Sequence, residues 1–482
     1  MESTPIVMNL DQNKRILEDR LKISASFDLG NRELLVSGKK VILYYVTGLC
    51  DAAVVVDLLR GMQEESIPED SFFSNLYHTI SHQQVEVIDT MEEGITPMLS
   101  GLLLILVEGE AKGILVDVRS YPGRTPEEPD TEKVVRGSRD GYTENIIENT
   151  ALTRRRIRDK RLRNELMQIG ERSKTDVCIS YIEDVANPDL LKVIKDRLEK
   201  VDVDGLTMAD KMLEEYIVKQ GRTPFPLVRY TERPDVAASH LLEGHILVMV
   251  DTSPSIMITP TTFFHHVQHA EEYRQSPVVG TFVRWVRFFG MLTSVFLLPM
   301  WLLLSIQPEL TPEALSFIGP KEEGTIPLVV QILIADIGIE LLRIAAIHTP
   351  TPLSTSMGLI AAVLIGQIAI DVGLFGPEAI LYVAASAIGT YSTPSYELSV
   401  AHKISRILLL IMTALFGVKG FFIGVLIYTL SLISTKSFRT PYLWPFLPFN
   451  GKAFIQILFR FTNPTLKVRP SIVRPKDTER QS

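Results

Sequence analysis

Up to about Gln275, apolar and charged residues interleave at the density of a water-soluble domain, whereas from Phe288 onward long apolar runs are separated by short polar ones. This change of texture predicts a soluble half joined to a membrane half. In the soluble half, KKVILYYVTG (39–48), GLLLILVEG (101–109) and KGILVDVRSY (112–121) have the β-rich apolar runs of strands, and 52–62 has a helical pattern between them. YPGRTPEEPD (121–130) breaks the pattern. Beyond it the sequence predicts a helix over about 143–168, a strand at 175–184, a helix at 188–201 and a strand at 245–253. The expected fold class is an α/β cytoplasmic region of two small subdomains, 1–125 and 126–280, followed by an α-helical multi-pass membrane domain over 281–440 and a cytoplasmic tail over 441–482. No internal repeat is evident.

The run at 288–306 holds nineteen residues without a charge, enough to cross a hydrocarbon core of about 30 Å. Arg284 and Arg287 precede it, whereas Glu309, Glu313, Glu322 and Glu323 follow it against Lys321 alone, so the excess of positive charge places the soluble half in the cytoplasm. Further spans are expected at 326–347 and 357–375, joined by the Pro-rich HTPTPLSTS, and at 379–391, which is short for a crossing. The stretch 404–434 is interrupted by GVKG, which leaves one long bent helix or two short ones. Lys436, Arg439, Lys452, Arg460, Lys467 and Arg469 put the tail back in the cytoplasm, so the number of crossings is even, between four and six, with six preferred. PYLWPFLPF (441–449) suits an interfacial segment or a soluble aromatic cluster.

Charge and composition narrow the functional classes. The net charge of −8 argues against a general nucleic-acid binder. RRRIRDKRLR (154–163), with seven Lys or Arg in ten residues, is the local exception; it reads best as a helix with a buried stripe and a solvated or subunit-facing basic side. Cys50 and Cys178 stand in no metal or redox spacing, and the N-terminus has no basic segment followed by an apolar core, so neither disulfides nor a secretory signal is expected. His265 and His269 of HHVQH have the i,i+4 spacing of a metal pair, but His266 stands where a zincin has its Glu and no third ligand is apparent. Nucleotide-binding and acyl-transfer signatures are missing, so no enzyme activity and no cofactor are expected.

The sharpest candidate site is LIADIGIELLRIA (333–345). On a helix, Asp336, Glu340 and Arg343 fall within a stripe about 60° wide and about 10 Å long. One reading is an ion pair of Glu340 with Arg343 at i,i+3 that lowers the cost of insertion and fixes helix packing. The other is a stripe facing a water-filled path, with Asp336 near mid-span as its costliest member and acidic rings forming in a symmetric oligomer to draw in cations. Gln367 and Asp371, at i,i+4 on the next span, extend the polar lining in that case; a position for Asp371 near the membrane interface is the alternative.

Several segments resemble the A subunits of GerA-type spore germinant receptors, over nearly the whole chain. They are VVRGSRDGYTENI (134–146) with the basic segment after it, TERPD (231–235), DTSPS (251–255), EEYR (271–274), GIELLRIAAIHTP (338–350) and IGTYSTPSYELSVAHKISR (388–406). Ser138 replaces a proline of the family box, Ile344 a second Glu and His348 an Arg, departures that favour a paralogous sporulation protein over a receptor subunit proper. The resemblance implies an integral protein of the inner spore membrane, N-terminal domains inward. It also implies a ring-shaped homo-oligomer among other germination membrane proteins, embedded in membrane lipid and passing monovalent cations, with Glu340 and Arg343 as the positions carried over. Asp336 rests on helix geometry alone. A non-conducting scaffold or signal-relay subunit is the alternative, and a carrier with broken helices a weaker one.

Overall fold

Leu29–Val36 (β1) and Lys39–Val46 (β2) pair antiparallel along their whole lengths, from Leu29 opposite Val46 to Val36 opposite Lys39. Ser37 and Gly38 close the hairpin with φ of 46° and 87°, the primed-turn geometry that matches strand twist. Val85–Ile88 (β3), Leu103–Val107 (β4) and Gly113–Val116 (β5) complete an antiparallel sheet in the order β1-β2-β4-β5-β3. Successive residues of β2 feed two cores. Ile42, Tyr44 and Val46 pack with Leu10–Leu21 (α1) and Met91–Leu99 (α4), while Val41 and Leu43 pack with Ala52–Glu64 (α2) and Phe72–Thr79 (α3). Burial on both faces is why this strand reads as an unbroken apolar run.

A computed structural model of the chain describes residues 4–64, 67–68, 71–120, 132–313, 318–321, 325–348, 358 and 366–480. The break at 121–130, most of the loop at 348–356, and 357 and 359–365 of the span expected at 357–375 lie outside the described residues. The chain divides into two compact units, Met1–Lys219 with Val228–Pro260 and Asn463–Ser482, and Gln220–Leu227 with Thr261–Thr462.

The first unit contains a repeat that the sequence does not display. Ile146–Arg156 (α5), Leu162–Ile169 (β6), Thr175–Ile182 (β7), Pro188–Leu198 (α6), Ala209–Ile217 (α7), Arg229–Thr231 (β8), Pro234–Glu243 (α8), Ile246–Val250 (β9) and Ile256–Thr259 (β10) follow the element order of the first sheet. Their strand order, β6-β7-β9-β10-β8, is also the same. Single hydrogen bonds recur as well. Asn9 and Asn145 cap α1 and α5, and one turn later Asn13 and Asn149 each clasp a backbone N–H and C=O, those of Val7 and of Thr143. Ile6 donates to the carbonyl of Asp89 as Tyr142 does to that of Glu232; Gly109 donates to Met8 as Thr252 does to Glu144, both donors at positive φ.

The helix expected over 143–168 is corrected: α5 stops at Arg156 and β6 begins at Leu162. Arg154 causes the reversal. Fully buried, it pairs with Asp28 at 3.0 Å and donates to the carbonyls of Asp159 and Leu162, folding the chain back around its own guanidinium. Arg163 is buried too, donating to the carbonyls of Leu21 and Lys160, so the basic run is not a solvated helix face. Its two ends join the repeats. Both cysteines are free, and burial pushes the thiol of Cys50 up to about 11 and that of Cys178 well up.

The second unit is helical: Phe263–Val267 (α9), Ala270–Arg274 (α10), Pro277–Ile306 (α11), Leu328–His348 (α12), a single turn Ala369–Asp371, Pro377–Tyr391 (α13), Tyr396–Ser434 (α14) and Gly451–Leu458 (α15). By length and composition α11 and α14 can cross a membrane; α12 is as apolar but carries the three charges. His265 and His269 do not share a helix face, because α9 ends at Val267 and His269 caps α10, and among the described residues no cluster suited to a metal occurs.

The stretch α14 is not one bent rod. At Gly417 the backbone takes φ 56° and ψ −134°, and beyond it the chain doubles back. A methyl group on Gly420 would lie 1.8 Å from the carbonyl oxygen of Met412, and one on Gly424 2.3 Å from Leu409. The rings of His402 and Tyr428 are 6.3 Å apart, whereas a straight helix would separate these residues by about 39 Å. The GVKG interruption is therefore the tip of a tight antiparallel helical hairpin.

Candidate functional site

The charged stripe of α12 meets a second, basic stripe. Lys403 and Arg406, at i,i+3 on the first arm of α14, face Asp336 and Glu340. Asp336 has no exposed surface. Its two oxygens accept from Arg406, at 2.6 Å from Nη2 and 3.2 Å from Nε, and Lys403 Nζ stands 3.5 Å away. Nη1 of Arg406 donates to the Ser294 carbonyl (2.5 Å), Ser386 Oγ (2.7 Å) and Thr390 Oγ1 (3.2 Å). One guanidinium thus ties α11, α12, α13 and α14 together. Its planar fork supplies donors in several directions at once, which an ammonium on a flexible stem does less well.

One turn further along, the pairing opens towards the surface. Glu340 accepts from Lys403 at 2.9 Å and from Arg343 Nε at 3.1 Å, the i,i+3 pair expected from the sequence. Arg343 also donates to Ser399 Oγ at 3.1 Å and lies 4.7 Å above the Tyr396 ring. The side chain of Glu340 remains 21% exposed, against 1% for Asp336. With all five groups ionised, three cations oppose two anions and the network carries one surplus positive charge. Beside it runs an apolar core of Leu298, Trp301, Ile332, Ala335, Val383 and Leu410, with Trp301 stacked on Tyr382 at 4.5 Å. This low-polarity surround makes each pair stronger and an unpaired charge costlier.

Gln367 and Asp371 are both exposed, and among the described residues no hydrogen bond joins either to the network. Sequence reasoning had Asp336, Glu340 and Arg343 but missed Lys403 and Arg406. The signal was there: an arginine sits inside the apolar stretch ISRILLL (404–410), and a buried cation of that kind needs an anionic partner. The small hydroxyls of Ser386 and Thr390, two further partners, carry no such signal.

The profile of the Bacillus/Clostridium GerA spore germination protein family matches residues 15–472. The chain belongs to the GerA family. Stage V sporulation protein AF of Bacillus subtilis (strain 168) is 56% identical over all of this chain and 98% of its own length. Two other family members from the same organism are more distant: spore germination protein B1 is 30% identical over 92% of this chain and 93% of its own, and spore germination protein KA 27% identical over 99% and 89%. The crystal structure of the N-terminal domain of the A subunit of the Bacillus megaterium spore germinant receptor GerK3 is 26% identical, covering 55% of this chain and 99% of that chain, with a TM-score of 0.42. The GerA match identifies a spore germination protein, and the five-charge network, sealed at Asp336 and open at Glu340, is the feature of its helical unit that bears on function.

Proposed function

We propose that this GerA-family protein is a multi-pass subunit of the germination apparatus in the inner spore membrane, its α/β repeats on the cytoplasmic face, and that its homo-oligomer conducts monovalent cations. The observation that carries the reading is the split within the stripe. Asp336 is sealed against Arg406, whereas Glu340 reaches the surface, and Gln367 and Asp371 lie exposed on the single chain, free to line a path formed between copies. Asp336 then acts by holding four helices in register. An even number of crossings is supported by the tail: Lys476 donates to the Val185 carbonyl, Arg469 to that of Leu242, and the Arg474 carbonyl accepts from Asn187, so both chain ends belong to the α/β unit.

A second reading, a non-conducting scaffold or relay that binds other germination proteins, is favoured by the complete internal pairing of Asp336 and the surplus positive charge of the network. Flux separates the two. Purified protein in liposomes should pass K⁺ or Na⁺, with flux reduced by Glu340→Gln and Asp371→Asn in protein that still assembles. Absence of flux from the assembled wild type, with germination proteins co-purifying, would establish the scaffold instead.

A further inference from the structure

The first turns of α11 lie before the charge-free run and yet present an apolar stripe. Val278, Phe282, Trp285, Phe289 and Leu292 are all exposed and fall within about 80° of one another around the helix. The stripe therefore runs about 21 Å without interruption, past Arg284 and Arg287 and into the span. Phe282 alone is 67% exposed.

A second element extends this surface sideways. α15 is fastened to the start of α11: Arg284 donates to the carbonyls of Gln456 and Ile457, both at 2.9 Å, Trp285 Nε1 to that of Leu458 at 2.8 Å, and the Arg460 backbone to Thr281 Oγ1 at 3.1 Å. The rings of Trp285 and Phe459 meet at 5.5 Å. Around this joint Phe446, Leu447, Phe449, Ile455, Phe459 and Phe461 are exposed, Phe449 to 71%. Six large apolar side chains open to water within one short segment are far more than a soluble surface normally carries. Lys452 is exposed on the same helix, and between Glu397 and Asp477 the sequence contains no acidic residue at all.

We infer that 444–461, with the first turns of α11, forms an anchor that lies in the headgroup layer of a bilayer containing anionic phospholipid. Aromatic side chains and snorkelling cations are the chemistry of that layer, and the exposed stripe joins it to the hydrocarbon core without a polar gap. The Arg284 and Trp285 hydrogen bonds hold the anchor at the mouth of the span. The inference rests on the reading that α11 crosses the membrane, and the test keeps the two apart.

Environment-sensitive fluorophores are placed at Phe449→Cys, Ile455→Cys and Leu292→Cys in the full-length Cys50→Ser protein, reconstituted in vesicles of phosphatidylcholine with and without phosphatidylglycerol; protein without an added cysteine sets the background. The expected result is blue-shifted emission at 449 and 455, quenched by headgroup-level nitroxide lipid, and at 292 quenched by deep nitroxide lipid. Quenching at 449 and 455 should increase with phosphatidylglycerol, and Lys452→Glu should abolish that increase. Aqueous emission at 449 and 455 with a buried 292 overturns the anchor and leaves the span standing. Aqueous emission at 292 overturns the span. Shielded probes that lipid nitroxides fail to quench mean that protein covers the surface, which also overturns the anchor.

Discussion

Arg406 makes five hydrogen bonds to three other helices, so its removal leaves Asp336, among the described residues, with Lys403 at 3.5 Å as its remaining partner. Breaking a buried pair from one side costs about 3–5 kcal/mol, whereas replacing both members with apolar residues of similar size is often neutral or stabilising. Arg406→Ala should therefore lower the thermal unfolding temperature sharply in detergent, with Asp336→Leu/Arg406→Met recovering most of the loss. If the double variant also conducts as the wild type does, Asp336 serves packing and not passage. Another single residue sets an acid limit in the α/β unit. Burial works against the charge of Glu92, but hydrogen bonds from the Thr4 N–H at 2.8 Å and from Arg20 outweigh it and hold the carboxyl at about 2, against an ordinary 4.5. Because the folded value is the lower one, this stabilisation is complete above pH 4.5 and is lost as pH falls towards 2. Glu92→Gln should flatten that part of the pH dependence of unfolding measured by far-UV circular dichroism.

At the scale of elements, the α14 hairpin depends on residues with no side chain where the arms touch. Alanine at Gly420 would drive a methyl group into the Met412 carbonyl, and alanine at Gly417 would hold a left-handed φ at a cost of about 1–2 kcal/mol. Leu409→Cys/Gly424→Cys should oxidise to an intramolecular disulfide, read as a mobility shift lost on reduction. In a straight helix these residues would stand about 22 Å apart and could not be bridged. The repeated α/β elements teach a related lesson. The strands at 39–48, 101–109 and 175–184 were legible because two-sided burial leaves unbroken apolar runs, but the same property makes many sequences equivalent and hides the duplication. Asn9 with Asn13 and Asn145 with Asn149 keep a common spacing, since capping demands a particular side chain. The helix drawn through 157–168 failed for a different reason. Basic residues spaced by Ile157 and Leu162 suit a helix, a turn or a strand until the buried Arg154 chooses among them.

For the whole molecule, residues 463–482 and the α/β repeats belong to one unit, so on the proposed membrane reading they lie on the same side. Cysteines at the exposed positions Leu35 and Val468 should react with a membrane-impermeant maleimide from the same face of oriented vesicles; labelling from opposite faces would mean an odd number of crossings. By itself the sequence determined the division into an α/β part and an apolar helical part, the stripe of Asp336, Glu340 and Arg343, and the family, because composition, periodicity and motif order are properties of the chain in one dimension. Tertiary structure decided what the charges do. Whether Asp336 meets water or Arg406, 70 positions away, and whether 404–434 runs on or folds back to bring Gly424 against Leu409, depend on residues distant in the chain arriving in contact, and no local pattern encodes such a meeting.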